Sequence, residues 1–235
     1  MSTPSTAATT AATATITAAN AAIAASQART EPQPAATDPS ADPAGDASVA
    51  SLAPTLQRLR DAWQANKPDY AQRSADLQRL RDALKRRLDD MADAISADFG
   101  HRSRDESRIA DGMTVLNDID HLRKHLRGWM KPKRVGVGWR FLPARAEIRP
   151  QPLGVVGVIA PWNYPVNLAL IPLATAIAAG NHVFLKPSEH TPRSSAFLRS
   201  LLAEVFPADR VAVATGAADV GAAFAALPFD HLVFT

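Results

Sequence analysis

One stretch of this chain, from Pro152 to Glu189, limits its fold more than any other: PLGVVGVIAPWNYPVNLALIPLATAIAAGNHVFLKPSE. The β-branched run from Val155 to Ile159 is typical of a strand buried on both faces. An apolar helical segment rich in small residues follows and ends at Gly180-Asn181, because glycine favours the left-handed conformation that ends helices. His182 to Leu185 forms the next apolar run. This order predicts a βαβ unit with parallel strands and a right-handed crossover.

The turn inside this unit is marked by two prolines, Pro161 and Pro165, which can continue neither a strand nor a helix interior. We expect the side chain of Asn167 to cap the helix that follows. Pro172 is tolerated in a helix only near its start, so the helix should begin shortly before it.

The same alternation continues to the end of the chain. Thr191-Pro192 opens a helix with proline at its first position, Val211 to Ala214 reads as a strand, and a helix runs from about Ala218 to Ala226. His231 to Phe234 is a fourth strand. The fold class is therefore α/β, with N-terminal helices followed by an incomplete doubly wound parallel sheet. The sequence stops at Thr235, where a ligand-binding turn normally follows a strand, and we expect a truncated product or fragment.

The region before the sheet, residues 51–132, is predicted to be helical. Leucines at helical spacing indicate a helix from Ser51 to Ala65. A longer helix with one apolar stripe follows and ends at Gly100. A third helix runs from Ile109 to Trp129. Residues 133–150 alternate in short pieces and suggest strands or an extended arm. The stripes face a core by default, rather than a partner.

Residues 1–50 consist almost entirely of Ala, Thr, Ser, Pro and a few acids, and we predict a disordered extension because they have too little apolar surface to offset ordering. A weak transit peptide and a misassigned start codon both remain open. The net charge is +3, yet 21 of the 26 Lys and Arg fall between residues 51 and 150, against 14 Asp and Glu. Without a recognition motif this favours solvated helix faces over nucleic-acid binding. No apolar run is long enough to span a membrane.

Three motifs carry a resemblance: PWNYP at 161–165, AAGN at 178–181 and KPSE at 186–189. In this order they resemble the aldehyde dehydrogenase superfamily, and the tail from Val213 is similar to the next part of the same domain. The match begins near Asp69 and is most similar to the coniferyl aldehyde dehydrogenase and class 3-like subgroup. The resemblance implies that residues 151–235 are the first half of a Rossmann-like NAD-binding domain. It also implies that residues 133–150 join an oligomerisation sheet, so that the full-length protein is a cytoplasmic homo-oligomer.

Candidate site residues follow the strands, since ligands of open parallel sheets bind beyond the carboxyl ends of the strands. Asn163, after the first strand, offers two amide donors of the kind an oxyanion needs. A turn asparagine that only bonds backbone is the alternative. The resemblance implies that Asn163 donates to the oxyanion of a thiohemiacetal, and that Ala160, Pro161 and Trp162 contact the cofactor.

Lys186 and Glu189 follow the second strand. A carboxylate there can accept bonds from both hydroxyls of an adenosine ribose, and the KPSE motif implies this role; a solvated Lys-Glu pair is the alternative. A carboxylate repels a 2′-phosphate, so NAD is preferred, with NADP possible. The resemblance also implies that Gly216, after the third strand, lets the adenine end approach the backbone; an ordinary strand-ending glycine is the alternative. The chain lacks GxGxxG, which these dehydrogenases do not use.

The superfamily's chemistry needs a cysteine thiolate, and this sequence contains no cysteine. The resemblance implies thiolate attack on an aldehyde, hydride transfer to NAD and hydrolysis of the thioester by a glutamate-activated water, with nucleophile and base outside this chain. The expected partner is a small aldehyde, and the subgroup resemblance implies an aromatic one; no metal, nucleic acid or membrane is expected. Two alternatives from other classes are a non-catalytic nucleotide-binding or interaction module, and a basic helical scaffold with a disordered arm.

Overall fold

A four-stranded parallel sheet with strand order β5-β4-β3-β6 organises the structure, a computed structural model that describes residues 47–235. The disorder predicted for residues 1–50 lies outside the described residues up to residue 46, and its last two residues, Val49 and Ala50, instead begin a helix. The strands of the sheet are β3 (Val155–Ile159), β4 (His182–Lys186), β5 (Val211–Val213) and β6 (His231–Phe234). β3 pairs in parallel with both β4 and β6, so the first strand of the predicted βαβ unit lies inside the sheet.

Helices cover both faces of this sheet, as predicted. The longer ones are α1 (Val49–Ala65), α2 (Tyr70–Arg86), α3 (Leu88–Phe99), α5 (Thr114–Trp129), α6 (Asn167–Ala179), α7 (Pro192–Val205) and α8 (Ala218–Ala225). A short helix α4 (Arg104–Ser107) and a π-helical turn (Arg108–Met113) lead into α5. Within residues 47–235, none of these helices combines the length and apolar character needed to cross a bilayer.

Alternate side chains of the strands enter two separate cores. Val155, Phe184 and Ala212 pack with leucines of α1 and with Phe224 of α8 on one face. On the other face Val156, Val158, Val183 and Leu185 pack against α2, α5, α6 and α7 in the larger core. β3, β4 and β5 read as continuous apolar runs because both of their faces are buried, whereas β6 is largely exposed.

The helix boundaries differ from the sequence-based expectation at two places. α1 begins at Val49, two residues before the predicted start. The single long helix predicted through residues 77–95 is wrong, because Arg87 has φ −110° and ψ 23° and separates α2 from α3. The guanidinium of Arg87 lies 5.0 Å from the ring of Phe197 and donates to the Ser200 hydroxyl at 3.1 Å, so contacts with α7 accompany the break.

The N-terminus of α6 is not capped by Asn167, which corrects a second expectation. Asn167 is the first helical residue, and its amide nitrogen donates to the carbonyl of Ala110 at 2.9 Å. The cap comes instead from Asp111 in the π-helical turn, whose Oδ1 accepts from the backbone N–H groups of Val166 (3.1 Å) and Asn167 (2.9 Å).

Pro172 is the sixth residue of α6, farther inside the helix than expected, and it has no N–H to offer the carbonyl of Leu168. The hydroxyl of Thr235, just after β6, lies 3.3 Å from that carbonyl and 3.1 Å from the carbonyl of Ile159. The Leu168 carbonyl, which lacks its helical donor, therefore has the Thr235 hydroxyl within hydrogen-bond distance.

The C-terminus of α6 is closed by a side chain from α2. Gly180 has φ +90°, the left-handed conformation predicted for it. Arg73, buried at 8% exposure, donates to the carbonyls of Ala178 and Ala179. A Cβ at position 180 would lie 2.3 Å from the Arg73 guanidinium carbon, so the helix end and the arginine leave room only for glycine.

Residues 133–150 form the predicted arm. β1 (Lys133–Val135) pairs antiparallel with β2 (Ala146–Ile148), apart from the main sheet. Most side chains of residues 133–150 are exposed, and several of them are large and apolar: Val135, Trp139, Phe141, Leu142 and Ile148.

Candidate functional site

The predicted site residues follow neighbouring strands and share one edge of the sheet. Ile159 at the end of β3 pairs with Lys186 at the end of β4, and the N–H of Ala160 donates to the carbonyl of Lys186 at 3.0 Å. β5 lies parallel on the other side of β4 and leads to Gly216. The carboxyl ends of three adjacent strands therefore bring the three predicted groups to the same edge, where open parallel sheets bind ligands.

Lys186 and Glu189 form an ion pair, with Nζ 3.0 Å from Oε2. Lys186 is buried at 3% exposure and also donates to the Pro187 carbonyl at 3.2 Å, whereas the Glu189 side chain is about one-third exposed. Burial acts to raise the pKa of Glu189, but the residue's own backbone N–H and the Lys186 ammonium outweigh it, and the pKa lies below its usual range. Glu189 is therefore an ionised, partly accessible acceptor held by a buried cation.

Two glycines lie in the segment that leads from β5 into α8, and one of them contacts Lys186. Gly216 has φ +151°, and a Cβ there would lie 2.6 Å from the Val220 side chain, so the turn from β5 into α8 requires glycine. Gly221 of α8 lies against the Lys186 side chain, since a Cβ at 221 would be 3.2 Å from its Cε. Sequence reasoning identified Gly216 but missed Gly221; the GxxxxG spacing at the start of α8 was the available signal.

Asn163 lies in the turn after β3 and is held through its backbone. Its carbonyl accepts from the Arg102 guanidinium at 2.8 Å. Arg102 in turn stacks over Phe99 (3.9 Å) and lies 5.2 Å from the ring of Tyr164. The ring of Trp162 also neighbours Phe99, with centroids 6.3 Å apart. The turn is thus fixed by residues that precede it by about sixty positions.

The side-chain oxygen of Asn163 is buried and has no hydrogen-bond partner among the described residues. A turn asparagine that only satisfies backbone would use this oxygen as an acceptor. The local turn therefore does not use this oxygen.

Asp111 and Arg102 support the site and escaped sequence reasoning. Asp111 is fully buried; burial raises the pKa of its carboxyl, and Oδ2 has no partner among the described residues. It anchors the start of α6 directly after the Asn163 turn. The groups that they hold at the site, the Asn163 carbonyl and the N–H groups of Val166 and Asn167, lie more than fifty positions away in the chain, so no local pattern marks these two residues.

The arrangement offers an ionised acceptor beside a buried ammonium, and an uncommitted amide at the adjacent strand end. It contains no thiol nucleophile, since the sequence has no cysteine. In the part of the chain that the structure describes, no group of three or more His, Asp or Glu residues is placed to hold a metal ion. Polar contact with a hydroxyl-rich ligand is the chemistry these residues support by themselves.

Comparison with known proteins gives a consistent picture. The model of the aldehyde dehydrogenase family matches residues 39–235. A probable coniferyl aldehyde dehydrogenase from Pseudomonas aeruginosa is 48% identical over 188 residues, which are 80% of this chain and 40% of that protein. Human aldehyde dehydrogenase family 3 member B1 is 36% identical over 83% of this chain and 40% of its own length. The chain thus spans about 40% of these relatives.

A solved structure shows the same fold. Staphylococcus aureus AldH, in a substrate-bound state, superposes with a TM-score of 0.74 at 30% identity, over 76% of this chain and 39% of that one. The predicted α/β class with N-terminal helices and a parallel sheet is therefore confirmed, and the part of the fold that is matched is the N-terminal portion.

Proposed function

The chain belongs to the aldehyde dehydrogenase family, and from this premise we propose that it is the cofactor-binding N-terminal part of an NAD-dependent enzyme that oxidises an aldehyde to the acid. The family generally uses NAD or NADP. One observation carries the finer proposal: the Lys186–Glu189 ion pair stands at the carboxyl end of β4, beside the glycines that begin α8.

Glu189 would accept hydrogen bonds from both hydroxyls of the adenosine ribose, and Lys186 would keep the carboxylate ionised and donate to the same sugar. Gly216 would allow the turn after β5 to take the conformation that brings its backbone toward the adenine end, and Gly221 would leave room for the Lys186 side chain. Ala160, Pro161 and Trp162, after β3, would line the cofactor on the adjacent strand end. A 2′-phosphate would meet the negative charge of Glu189, which favours NAD over NADP.

Asn163 would donate its amide N–H to the oxygen that becomes negative when a thiolate adds to the aldehyde carbon. Bound NAD would accept the hydride. The thiolate and the base that activates water would come from outside residues 1–235. Arg102 and Asp111 would keep the Asn163 turn in place before substrate arrives, which is how preorganised donors lower a barrier.

The similarity to coniferyl aldehyde dehydrogenases supports an aromatic aldehyde of the coniferyl type as substrate. The arm of β1 and β2 supports a homo-oligomer, because its exposed Trp139, Phe141 and Ile148 are apolar side chains that association would cover.

The test is a complete enzyme that joins residues 1–235 to the C-terminal remainder of the Pseudomonas aeruginosa relative. We expect it to form NADH with coniferyl aldehyde. Glu189→Gln should weaken NAD binding by about tenfold and improve relative use of NADP, since a hydrogen bond to a charged group contributes about 1.5–3 kcal/mol. Glu204→Gln, a carboxylate that pairs with Arg86 instead, is the matched control.

Two outcomes would contradict the proposal in different ways. An unchanged ratio of NAD to NADP use in Glu189→Gln would remove the ribose assignment. A chimera that binds NAD but oxidises no aldehyde, beside an active relative in the same assay, would favour the alternative of a non-catalytic nucleotide-binding module.

A further inference from the structure

The exposed side of α5 carries a cluster of three aromatic rings that takes no part in the site described above. His121, His125 and Trp129 are spaced by four residues and so lie on one face of the helix. The two imidazole centroids are 4.2 Å apart, and the Trp129 ring lies 5.5 Å from His125 and 5.8 Å from His121. His121 is exposed and His125 is half-buried, so both rings are accessible to solvent.

The hydrogen bond of His125 decides which of its nitrogens is free. Nδ1 lies 2.8 Å from the carbonyl oxygen of His121, and because a carbonyl can only accept, Nδ1 carries the proton. Nε2 is then left with its lone pair. Metal-binding histidines usually donate their other N–H to a backbone carbonyl or a carboxylate in this way, which fixes the tautomer and orients the ring.

His121 has a carboxylate neighbour one turn earlier in the helix. Asp118 and His121 attract each other electrostatically, and Asp118 Oδ2 is buried without a hydrogen-bond partner among the described residues. Among the described residues no hydrogen bond joins these two side chains, so the oriented, electron-donating imidazole is that of His125.

We propose that His121 and His125 form a two-histidine site for a divalent first-row transition metal ion of the Zn²⁺, Ni²⁺ or Cu²⁺ type. Two histidines at positions i and i+4 of one helix face are a metal-binding arrangement, and imidazole suits these ions, whereas Mg²⁺ and Ca²⁺ prefer oxygen ligands. Each Nε2 would lie about 2.0–2.1 Å from a bound zinc ion. Rings 4.2 Å apart reach that geometry by a torsional change of the exposed His121 side chain.

Water completes the coordination. No third His, Asp or Glu joins the two histidines in a metal-binding group within residues 47–235. The site is therefore open and exchangeable, unlike a closed structural zinc site with four protein ligands. It lies on α5, and it requires neither cofactor binding nor aldehyde oxidation.

Trp129 provides a built-in reporter for the test. In residues 1–235 we expect Ni²⁺, an ion that quenches indole fluorescence, to lower emission along a saturable curve with one ion per chain. Zn²⁺, which does not quench, should compete and restore the emission. Because the sequence has four tryptophans, Trp129→Phe identifies the reporter: the quenching should disappear while calorimetry still detects one bound ion.

The histidine variants decide the proposal. His121→Ala and His125→Ala should each weaken Ni²⁺ binding by at least the roughly tenfold that is lost when only a supporting partner of a metal ligand is removed. His101→Ala and His231→Ala, each a single exposed histidine, should leave the affinity unchanged. His121→Gln repeats the test with a polar side chain, and circular dichroism checks that each variant keeps its helices. Unchanged affinity in the folded His121→Ala/His125→Ala double variant, or an equal loss in His101→Ala, would overturn the site.

Discussion

At the residue scale, Asn163 is held in its turn by its backbone, whereas the proposed function belongs to its side-chain amide. The Arg102 guanidinium binds the backbone carbonyl of Asn163 at 2.8 Å, and the Asn163 side chain takes no part in that bond. Truncating the side chain should therefore leave the turn in place and remove only the amide.

We predict that Asn163→Ala in the chimeric enzyme lowers kcat with little change in NAD affinity. Loss of one oxyanion donor typically costs about 2.7–4 kcal/mol of transition-state stabilisation, or roughly 10²–10³ in rate. Single-turnover NADH formation measures the chemical step, and NAD titration by fluorescence measures binding. Asn117→Ala, an exposed asparagine on α5, is the control. If acylation or hydride transfer limits turnover and Asn163→Ala still reacts at the wild-type rate, Asn163 has a structural role only.

His182 is a second residue whose behaviour follows from its surroundings. It is 4% exposed, and Nδ1 lies 3.1 Å from the carbonyl of Leu59 in α1. Burial, and then the positive charge of Arg210, lower the pKa of His182 to about 4. The unfolded chain takes up a proton near pH 6.5, so between these values the unfolded state binds more protons than the folded state.

We therefore predict that His182 reduces stability as the pH falls from about 6.5 toward 4, by about 2–3 kcal/mol. Asp98 and Asp111 act in the opposite direction, because burial raises the pKa of both carboxyls and the folded state then binds their protons more readily. Comparison with His182→Gln, which can still donate to Leu59, isolates the histidine. Urea unfolding at neutral and at acidic pH measures the free energy of unfolding of the wild type and of His182→Gln. Equal losses on acidification in the two proteins would exclude this role of His182.

At the element scale, α2 and α6 are joined by the fit between Arg73 and Gly180. A methyl group at position 180 would both meet the guanidinium and strain a left-handed backbone. We predict that Gly180→Ala lowers the free energy of unfolding by more than the roughly 1–2 kcal/mol typical of left-handed strain.

A double-mutant cycle distinguishes the two causes. In an Arg73→Ala background the clash is gone, so Gly180→Ala should cost only the backbone strain. Urea denaturation of the two single variants, the double variant and the wild type gives the coupling energy. Strictly additive losses would mean that the arginine yields without cost and that the two helices are not coupled there.

The elements also show what a sequence can predict and why. Strands β3 to β5 and the αL ends of helices could be predicted because two-sided burial and glycine leave local patterns, and β6 because it is a short apolar run after a helix, although its side chains are largely exposed. The break at Arg87 and the cap of α6 could not, because their partners lie in α7 and in the π-helical turn. In the candidate site, Lys186, Glu189, Gly216 and Asn163 were found because each follows a strand. Their roles in catalysis and cofactor binding stay predictions.

At the scale of the whole molecule, residues 1–235 contain the proposed cofactor-binding edge but no thiol. We predict that this chain alone forms no NADH with any aromatic or aliphatic aldehyde, because a hydroxyl without an activating base is a poor nucleophile at neutral pH. The chimera supplies the positive control under identical conditions. Turnover by purified residues 1–235, retained after host dehydrogenases are removed, would show that another group replaces cysteine.

We also expect low solubility of residues 1–235 expressed alone. In the described part of the chain β6 pairs with β3 on one side only, and Phe234 is 79% exposed. An uncovered strand edge is a template for pairing between chains.

β3 is the first strand of the main sheet along the chain and lies between β4 and β6, so we expect the sheet to assemble outward from β3. As the chain leaves the ribosome, β3 and β4 can close around α6 first. β5 then extends the β4 side, and β6 later joins the opposite side of β3. β5 and β6 pair with opposite edges of the β3–β4 pair, so misplacement of one strand leaves the docking position of the other unchanged.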